Sequence, residues 1–210
     1  MKFQKAIAVT IFWSIALAQV VHGQGTFVFD QQSGDESTLI GAVTTIQSHQ
    51  PIGQSFTPST TAVGFIRLSL NDATPGNSAG ATVFVNLRAN SITGTVLGSS
   101  DAVSMPDNFG RGTNGYVNFF FPSPVSLVPG TTYYFQPVVQ SGDTWQVGAY
   151  NFPVNYAGGT AFYDGVASSS DDLWFREGIV VPEPSTICLG IFGAATIIFL
   201  GRRPKAKPKI

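Results

Sequence analysis

The chain has 210 residues, enough for one domain together with segments that export or anchor it. Charged residues make up 11% of it, against roughly 25% in an average soluble protein, whereas aromatic residues reach 12%. With 23 Gly and 13 Pro, this composition favours short strands joined by many turns and argues against a mainly helical fold.

Charge and cysteine content exclude two further classes. Between Gln24 and Val180 there are four basic and eleven acidic residues, a net charge of −7. Because an acidic surface repels phosphate backbones, we expect no nucleic-acid partner. The one cysteine, Cys188, lies in an apolar segment near the C-terminus. The body of the chain therefore has neither an internal disulfide nor a cysteine-based zinc site.

The first residues have the three parts of a secretory signal peptide. Lys2 and Lys5 precede an apolar run, and a small-residue site at Val21–Gly23 follows it. The run is shorter than the roughly 20 residues that a membrane span needs. We predict signal-peptidase cleavage between Gly23 and Gln24, with cleavage after Ala18 as second choice and an uncleaved anchor as the alternative.

Apolar residues between positions 25 and 180 recur mostly with a period of two, which is typical of β-strands. Ile66, Leu68 and Leu70, for example, alternate with Phe65, Arg67 and Ser69. Strands are predicted at 26–29, 52–57, 65–70, 83–88, 95–98, 116–121, 133–138, 145–150, 160–163 and 173–180, separated by turn sequences. This spacing predicts an all-β fold, a two-sheet antiparallel β-sandwich of the jelly-roll kind.

Several fragments of the body resemble exported β-sandwich domains of the choice-of-anchor type. The fragments are Gly53–Thr57, Val63–Leu68, Val83–Arg88, Leu127–Phe135 and Asp172–Arg176. Such domains are defined by their anchors. The resemblance therefore implies a sandwich fold and no particular activity.

The body offers little for catalysis. His49 is its one histidine after signal cleavage, and no serine stands in a Gly-x-Ser-x-Gly sequence, which argues against a Ser-His-acid triad and a zinc site. We predict no catalytic residue, no metal site and no cofactor. Two uses of the acids stay open: structural calcium held by turn aspartates such as Asp143, Asp171 and Asp172, and a carboxylate pair in a glycoside-active jelly-roll enzyme.

Five aromatic residues lie late in the body, near Gly, Asn and Asp. They are Trp145, Tyr150, Tyr156, Tyr163 and Trp174. Flat rings beside polar amides suit a sugar-binding face, and packing in the core is the competing interpretation. On this basis a carbohydrate-binding module for exopolysaccharide is the alternative function, and a glycoside-active enzyme is the third.

The chain ends in three adjoining segments: Pro182-Glu183-Pro184, an apolar stretch at 187–200, and a basic cluster. The basic residues are Arg202, Arg203, Lys205, Lys207 and Lys209. The prolines keep the chain extended. A transmembrane helix from Ser185 to Gly201 would cover about 25 Å, enough for a slightly thinned bilayer. The basic cluster then holds the end of the chain in the cytoplasm.

These three segments, in this order, resemble the PEP-CTERM sorting signal. The resemblance implies cutting at the Pro-Glu-Pro segment by exosortase, a transient anchor in the inner membrane, and a Gram-negative-type bacterium that makes exopolysaccharide. We therefore expect a signal peptide at 1–23, a β-sandwich at 24–180 and a sorting signal at 181–210. The expected function is that of a non-catalytic protein of the cell envelope, cell surface or extracellular matrix. An ordinary tail anchor is the alternative.

Overall fold

The computed structural model describes residues 25–37, 40–112, 115–151 and 156–182. Within these ranges the chain forms fourteen β-strands and one turn of 3-10 helix at Gln47–His49. The strands are β1 (Thr26–Gln32), β2 (Ala42–Thr45), β3 (Gly53–Phe56), β4 (Ala62–Asp72), β5 (Ala81–Ala89), β6 (Val96–Ser99), β7 (Val103–Met105), β8 (Tyr116–Ser126), β9 (Tyr133–Gly142), β10 (Trp145–Asn151), β11 (Ala161–Tyr163), β12 (Val166–Ala167), β13 (Asp171–Leu173) and β14 (Phe175–Val181).

The strands are arranged in two seven-stranded sheets. Sheet 1 has the order β1-β14-β4-β10-β13, with β2 paired to β10 and β8 paired to β4. Sheet 2 has the order β12-β11-β3-β9-β5-β6, with β7 paired to β5. The sheets are antiparallel and make a β-sandwich, so the predicted all-β, two-sheet architecture is confirmed. The signal helix and the transmembrane helix were predicted in segments that lie outside the described residues.

Strand β4 organises sheet 1. One of its edges pairs with β14 through residues 65–68 and with β10 through residues 70–72, while the other edge pairs with β8. Ile66, Leu68 and Leu70 point into the core, as their spacing predicts, and Arg67 lies on the opposite face. β4 therefore supplies both core residues and residues of the outer surface of sheet 1.

The core lies between the two sheets and contains many aromatic side chains. Phe119 and Phe175 of sheet 1 are fully buried, as are Phe56 and Phe135 of sheet 2. Phe135 and Phe175 meet across the sandwich with ring centroids 5.2 Å apart. Because burying one such side chain is worth about 1.5–3 kcal/mol, this aromatic core is a main source of stability. These strands belong to one compact unit from Phe27 to Val180.

The two ends of that unit leave sheet 1 on the same side. The Ser33 N–H donates to the Phe175 carbonyl at 3.1 Å, while Gly178 lies against Val28, so β1 and β14 run in opposite directions. A Cβ at Gly178 would lie 2.0 Å from the Val28 carbonyl oxygen. Glycine is therefore required for this close approach between β1 and β14.

Candidate functional site

The residues predicted for sorting lie at the limit of the described chain. β14 ends at Val181, and Pro182, which follows it, is exposed. Glu183, Pro184, the basic cluster and the Gly23–Gln24 cleavage site lie outside the described residues. No helix in the part of the chain that is described is long and apolar enough to cross a membrane.

The five aromatic residues predicted for sugar contact do not form one exposed face. Trp145, Tyr150 and Trp174 are only 0, 2 and 0% exposed, so these rings present no free face to a ligand in this conformation. Tyr156 and Tyr163 are half-buried. The burial of Trp145, Tyr150 and Trp174 agrees with packing in the core. Sugar contact by Tyr156 and Tyr163 stays a prediction.

The turn aspartates considered for calcium hold their own loops together. The Asp143 carboxylate accepts hydrogen bonds from Thr74 and Asn77, which lower its pKa. The Asp171 carboxylate accepts bonds from the hydroxyls of Ser168 and Ser170. Within the described ranges, no three or more His, Cys, Asp or Glu side chains are grouped so that they could hold a metal ion. Calcium binding stays an untested prediction.

Asp172, the third of these aspartates, is buried. Its carboxylate accepts the Gln54 side-chain amide and the Tyr156 backbone N–H, both at 2.7 Å. Burial raises its pKa, and these two hydrogen bonds oppose the shift. His49, by contrast, lies near the surface at the end of the 3-10 turn, with its Nδ1 3.1 Å from the Asp164 carboxylate.

A charged cluster that the sequence did not predict lies on the outer surface of sheet 1. Arg67 of β4 and Arg176 of β14 stand directly opposite each other in the strand register and are called the arginine pair here. Two like charges in this position repel each other. The Glu36 carboxylate bridges them, because each of its oxygens accepts a hydrogen bond from one of the two guanidinium groups.

Each guanidinium group is also held by a hydrogen bond to a neighbouring amide side chain. Arg67 Nε donates to the Asn118 side-chain oxygen at 2.6 Å, and Arg176 Nε donates to the Gln32 side-chain oxygen at 2.8 Å. Only 18% of the Arg67 side chain and 15% of the Arg176 side chain are exposed. Burial works to raise the pKa of the Glu36 carboxyl, but the hydrogen bond from Arg67 and the positive charges of both arginines lower it overall.

Four phenylalanines pack together beside the arginine pair and are called the phenylalanine layer: Phe27, Phe29, Phe65 and Phe120. Phe27 and Phe29 contact the arginines directly. The Arg176 guanidinium carbon lies 3.4 Å from the centre of the Phe29 ring, a cation–π contact, and that of Arg67 lies 5.2 Å from the Phe27 ring. Phe65 is covered by its neighbours, whereas Phe120 is 39% exposed. The outer surface of sheet 1 thus combines two fixed cations with aromatic rings, one of them open to solvent.

The segment that carries Glu36 is held by its backbone. Trp174 Nε1 donates to the Asp35 carbonyl at 3.2 Å, and the Tyr116 hydroxyl donates to the Glu36 carbonyl at 3.4 Å. The Asp35 carboxylate in turn accepts the Ser37 N–H at 2.9 Å. The position of the Glu36 backbone is therefore set independently of its side-chain contacts with the arginine pair.

A second unpredicted feature is a carboxyl group buried inside the sandwich. Glu177 of β14 is fully buried, and its Oε1 accepts the Gln31 N–H at 3.1 Å. Burial, reinforced by neighbouring Asp30, raises the pKa of Glu177 to about 8. Asp30 has the opposite shift: burial works to raise its pKa, but hydrogen bonds from Ser59 and Thr60 lower it overall. At neutral pH a protonated Glu177 therefore lies beside an ionised Asp30.

Neither the arginine pair with Glu36 nor the buried Glu177 beside Asp30 was predicted from the sequence. Arg67 and Arg176 are two of only four arginines in the body. Period-two alternation assigns Arg67 to the outer face of its sheet, and this was the one sequence signal for the arginine pair. Nothing in the sequence pairs it with Arg176, or Glu36 with both.

Comparison with known proteins gives no further guide to identity. No family model matches the chain, and no significant match was found among curated proteins.

Proposed function

We propose that this chain is a non-catalytic, exported surface or extracellular-matrix protein, sorted through a C-terminal PEP-CTERM signal. Signal peptidase removes residues 1–23, and exosortase recognises Pro182-Glu183-Pro184. The body at 24–180 is a jelly-roll-like sandwich, and residues 181–210 are the sorting signal. The observation that carries the proposal is the junction: β14, an interior strand of sheet 1, ends at Val181, and the exposed Pro182 follows with no linker.

This junction suits a processing enzyme that needs an extended substrate. Pro182 and Pro184 cannot continue a helix outward from the membrane, so the segment that joins the body to the bilayer stays extended. On this proposal the apolar segment anchors the chain transiently in the inner membrane, and the basic cluster keeps its end in the cytoplasm. The body then lies outside the inner membrane, on its way to the cell surface or matrix.

The contacts of the body's acids support a structural role. Asp143 and Asp171 stabilise loops, Asp172 binds Gln54 inside the fold, and Glu177 is buried beside Asp30. The three aspartates hold parts of the sandwich together, and Glu177 is enclosed in its interior. A carbohydrate-binding module remains the second candidate, and the observation that favours it is the arginine pair beside the phenylalanine layer.

The experiment replaces Pro182, Glu183 and Pro184 by alanine in a host that carries exosortase. Cell fractionation and blotting then locate the protein. We expect the variant to be exported but retained in the inner membrane, because the signal peptide, the apolar segment and the basic cluster are unchanged. Alanines would let the membrane helix extend into the segment that the enzyme must bind.

The control variant neutralises the five basic residues after position 201 and leaves Pro-Glu-Pro intact. We expect this variant to disturb the orientation of the chain in the membrane and to leave recognition of Pro-Glu-Pro by exosortase intact. If the triple-alanine protein is trimmed and reaches the surface like the wild type, Pro-Glu-Pro is not the signal. A plain tail anchor then becomes the better explanation.

A further inference from the structure

The arginine pair has a carboxylate bound to it in the free protein, namely that of Glu36. We propose that the arginine pair is a binding site for the carboxylates of an acidic, uronate-containing polysaccharide, and that Glu36 occupies this site until the polysaccharide displaces it. The natural source of that ligand depends on the proposed extracellular location. The binding itself does not, because it is a property of the body and can be measured without sorting.

The arginine pair is organised for carboxylate binding before any ligand arrives. Asn118 and Gln32 fix the two Nε atoms, so each guanidinium presents its remaining donors in a set direction. A planar guanidinium with its donors held in place suits the two oxygens of a carboxylate. Since Arg67 and Arg176 repel each other across the strands, an anion between them is favoured, and Glu36 supplies it in the free protein.

The surroundings favour a sugar acid over a peptide acid. A uronic acid has a carboxylate next to a flat face of ring C–H groups, and such faces pack on aromatic rings. The phenylalanine layer adjoins the arginine pair, and Phe120 is exposed. Aspartate or glutamate side chains in a peptide bring the carboxylate without a flat ring beside it. The combination of fixed cations and aromatic rings therefore favours a uronate over an acidic side chain of a peptide.

Exchange of Glu36 for a ligand requires no change in the backbone. The Trp174 and Tyr116 donors hold the carbonyls of Asp35 and Glu36, whereas the Glu36 side chain is 36% exposed. Rotation about its side-chain bonds can move the carboxylate into solvent. As a tethered competitor it acts at a high local concentration, so the wild type should bind external carboxylates weakly.

The test measures binding of oligogalacturonate to the full chain in detergent micelles by isothermal titration calorimetry. The body's net charge of −7 opposes a polyanion at long range, so the titration is run at about 0.15 M salt, where the screening length is about 8 Å. Glu36→Ala should bind at least about tenfold more tightly than the wild type, because the tethered competitor is gone. Adding Arg176→Gln to Glu36→Ala should reverse this gain.

The matched control is Arg88→Gln on Glu36→Ala. Arg88 is a half-buried arginine of sheet 2, and its Nε also donates to a side-chain amide, that of Gln136. Arg88→Gln removes one positive charge, as Arg176→Gln does. We expect binding to be unchanged. Unliganded variants are compared by their melting temperatures, and Glu36→Gln replaces Glu36→Ala if the latter does not fold.

Three results would overturn the proposal. The first is equal affinity of the wild type and the Glu36 variant for oligogalacturonate. The second is equal loss of affinity in the Arg88 and Arg176 variants. The third is equal affinity for polyglutamate or a neutral oligogalactose, which would show that the arginine pair does not select a sugar acid. None of these results bears on sorting, so they are distinguishable from failure of the proposed function.

Discussion

Glu177 makes the stability of the sandwich depend on pH in a direction opposite to that of most carboxyl groups. Its pKa is raised from 4.5 to about 8 in the folded chain. Between these values the folded state retains a proton that the unfolded state has lost. The free energy of unfolding therefore falls as pH rises from 4.5 to about 8, and the contribution of Glu177 is constant above that.

The size of this effect follows from the shift. At about 1.4 kcal/mol per pH unit, the interval from 4.5 to about 8 corresponds to about 5 kcal/mol. Glu177→Gln should remove this contribution, because the carboxamide resembles the protonated acid and its oxygen can still accept the Gln31 N–H. We expect the variant to match the wild type near pH 5 and to exceed its free energy of unfolding by several kcal/mol at pH 9.

The assay is urea denaturation of residues 24–180 at a series of pH values from 5 to 9. Burial also raises the pKa of Asp172, a shift of the same sign that Glu177→Gln leaves in place. Glu36→Gln is the matched control. The pKa of Glu36 is lowered in the folded chain, so the stabilisation by its carboxylate is present above the unfolded pKa and is lost on acidification. If the wild type keeps the same stability from pH 5 to 9, or Glu177→Gln keeps the full slope, the reasoning about Glu177 is wrong.

Three further predictions concern the fold. Residues 24–180 should fold alone, because they contain the whole aromatic core, and a circular dichroism spectrum dominated by helix or by unfolded chain would contradict this. Gly178→Ala should lower the free energy of unfolding by about 2 kcal/mol or more, whereas Gly64→Ala, with its nearest contact at 3.5 Å, should be close to neutral in the same denaturation assay. Phe135→Ala should lower the free energy of unfolding by about 3–5 kcal/mol in urea denaturation, and Phe120→Ala should lower it clearly less. The reason is that Phe135 is fully buried, whereas Phe120 is 39% exposed. Equal losses would contradict the assignment of the core.

Local pattern was enough to predict much of the fold. Alternation at Ile66, Leu68 and Leu70 predicted their burial, and it put Arg67 on the other face. Of the strands with four or fewer residues, β3, β6 and β11 were predicted, whereas β2, β7 and β12 were not, because so short a run carries little periodic information. The predicted strand at 173–180 is divided between the end of β13 and β14. Strand pairing was also beyond reach, since β14 pairs with β4 across most of the chain and no local pattern encodes that choice.

The candidate sites were harder to predict than the strands. Trp174 follows two aspartates and was considered both for sugar contact and for core packing, and the segment at Asp35 accepts its N–H. Glu36 and Arg176 are 140 residues apart in the chain and meet only through folding. The raised pKa of Glu177 likewise depends on burial and on Asp30, neither of which a sequence pattern records.

On the proposed function, both ends of the chain are removed during export and sorting. Intact-mass measurement of the protein recovered from the cell surface or extracellular matrix tests it most directly. We expect a chain that begins at Gln24 and ends near Pro182–Pro184, without the apolar segment and the basic cluster. A surface protein whose mass still includes residues 187–210 would show that the C-terminal segment is not removed during sorting.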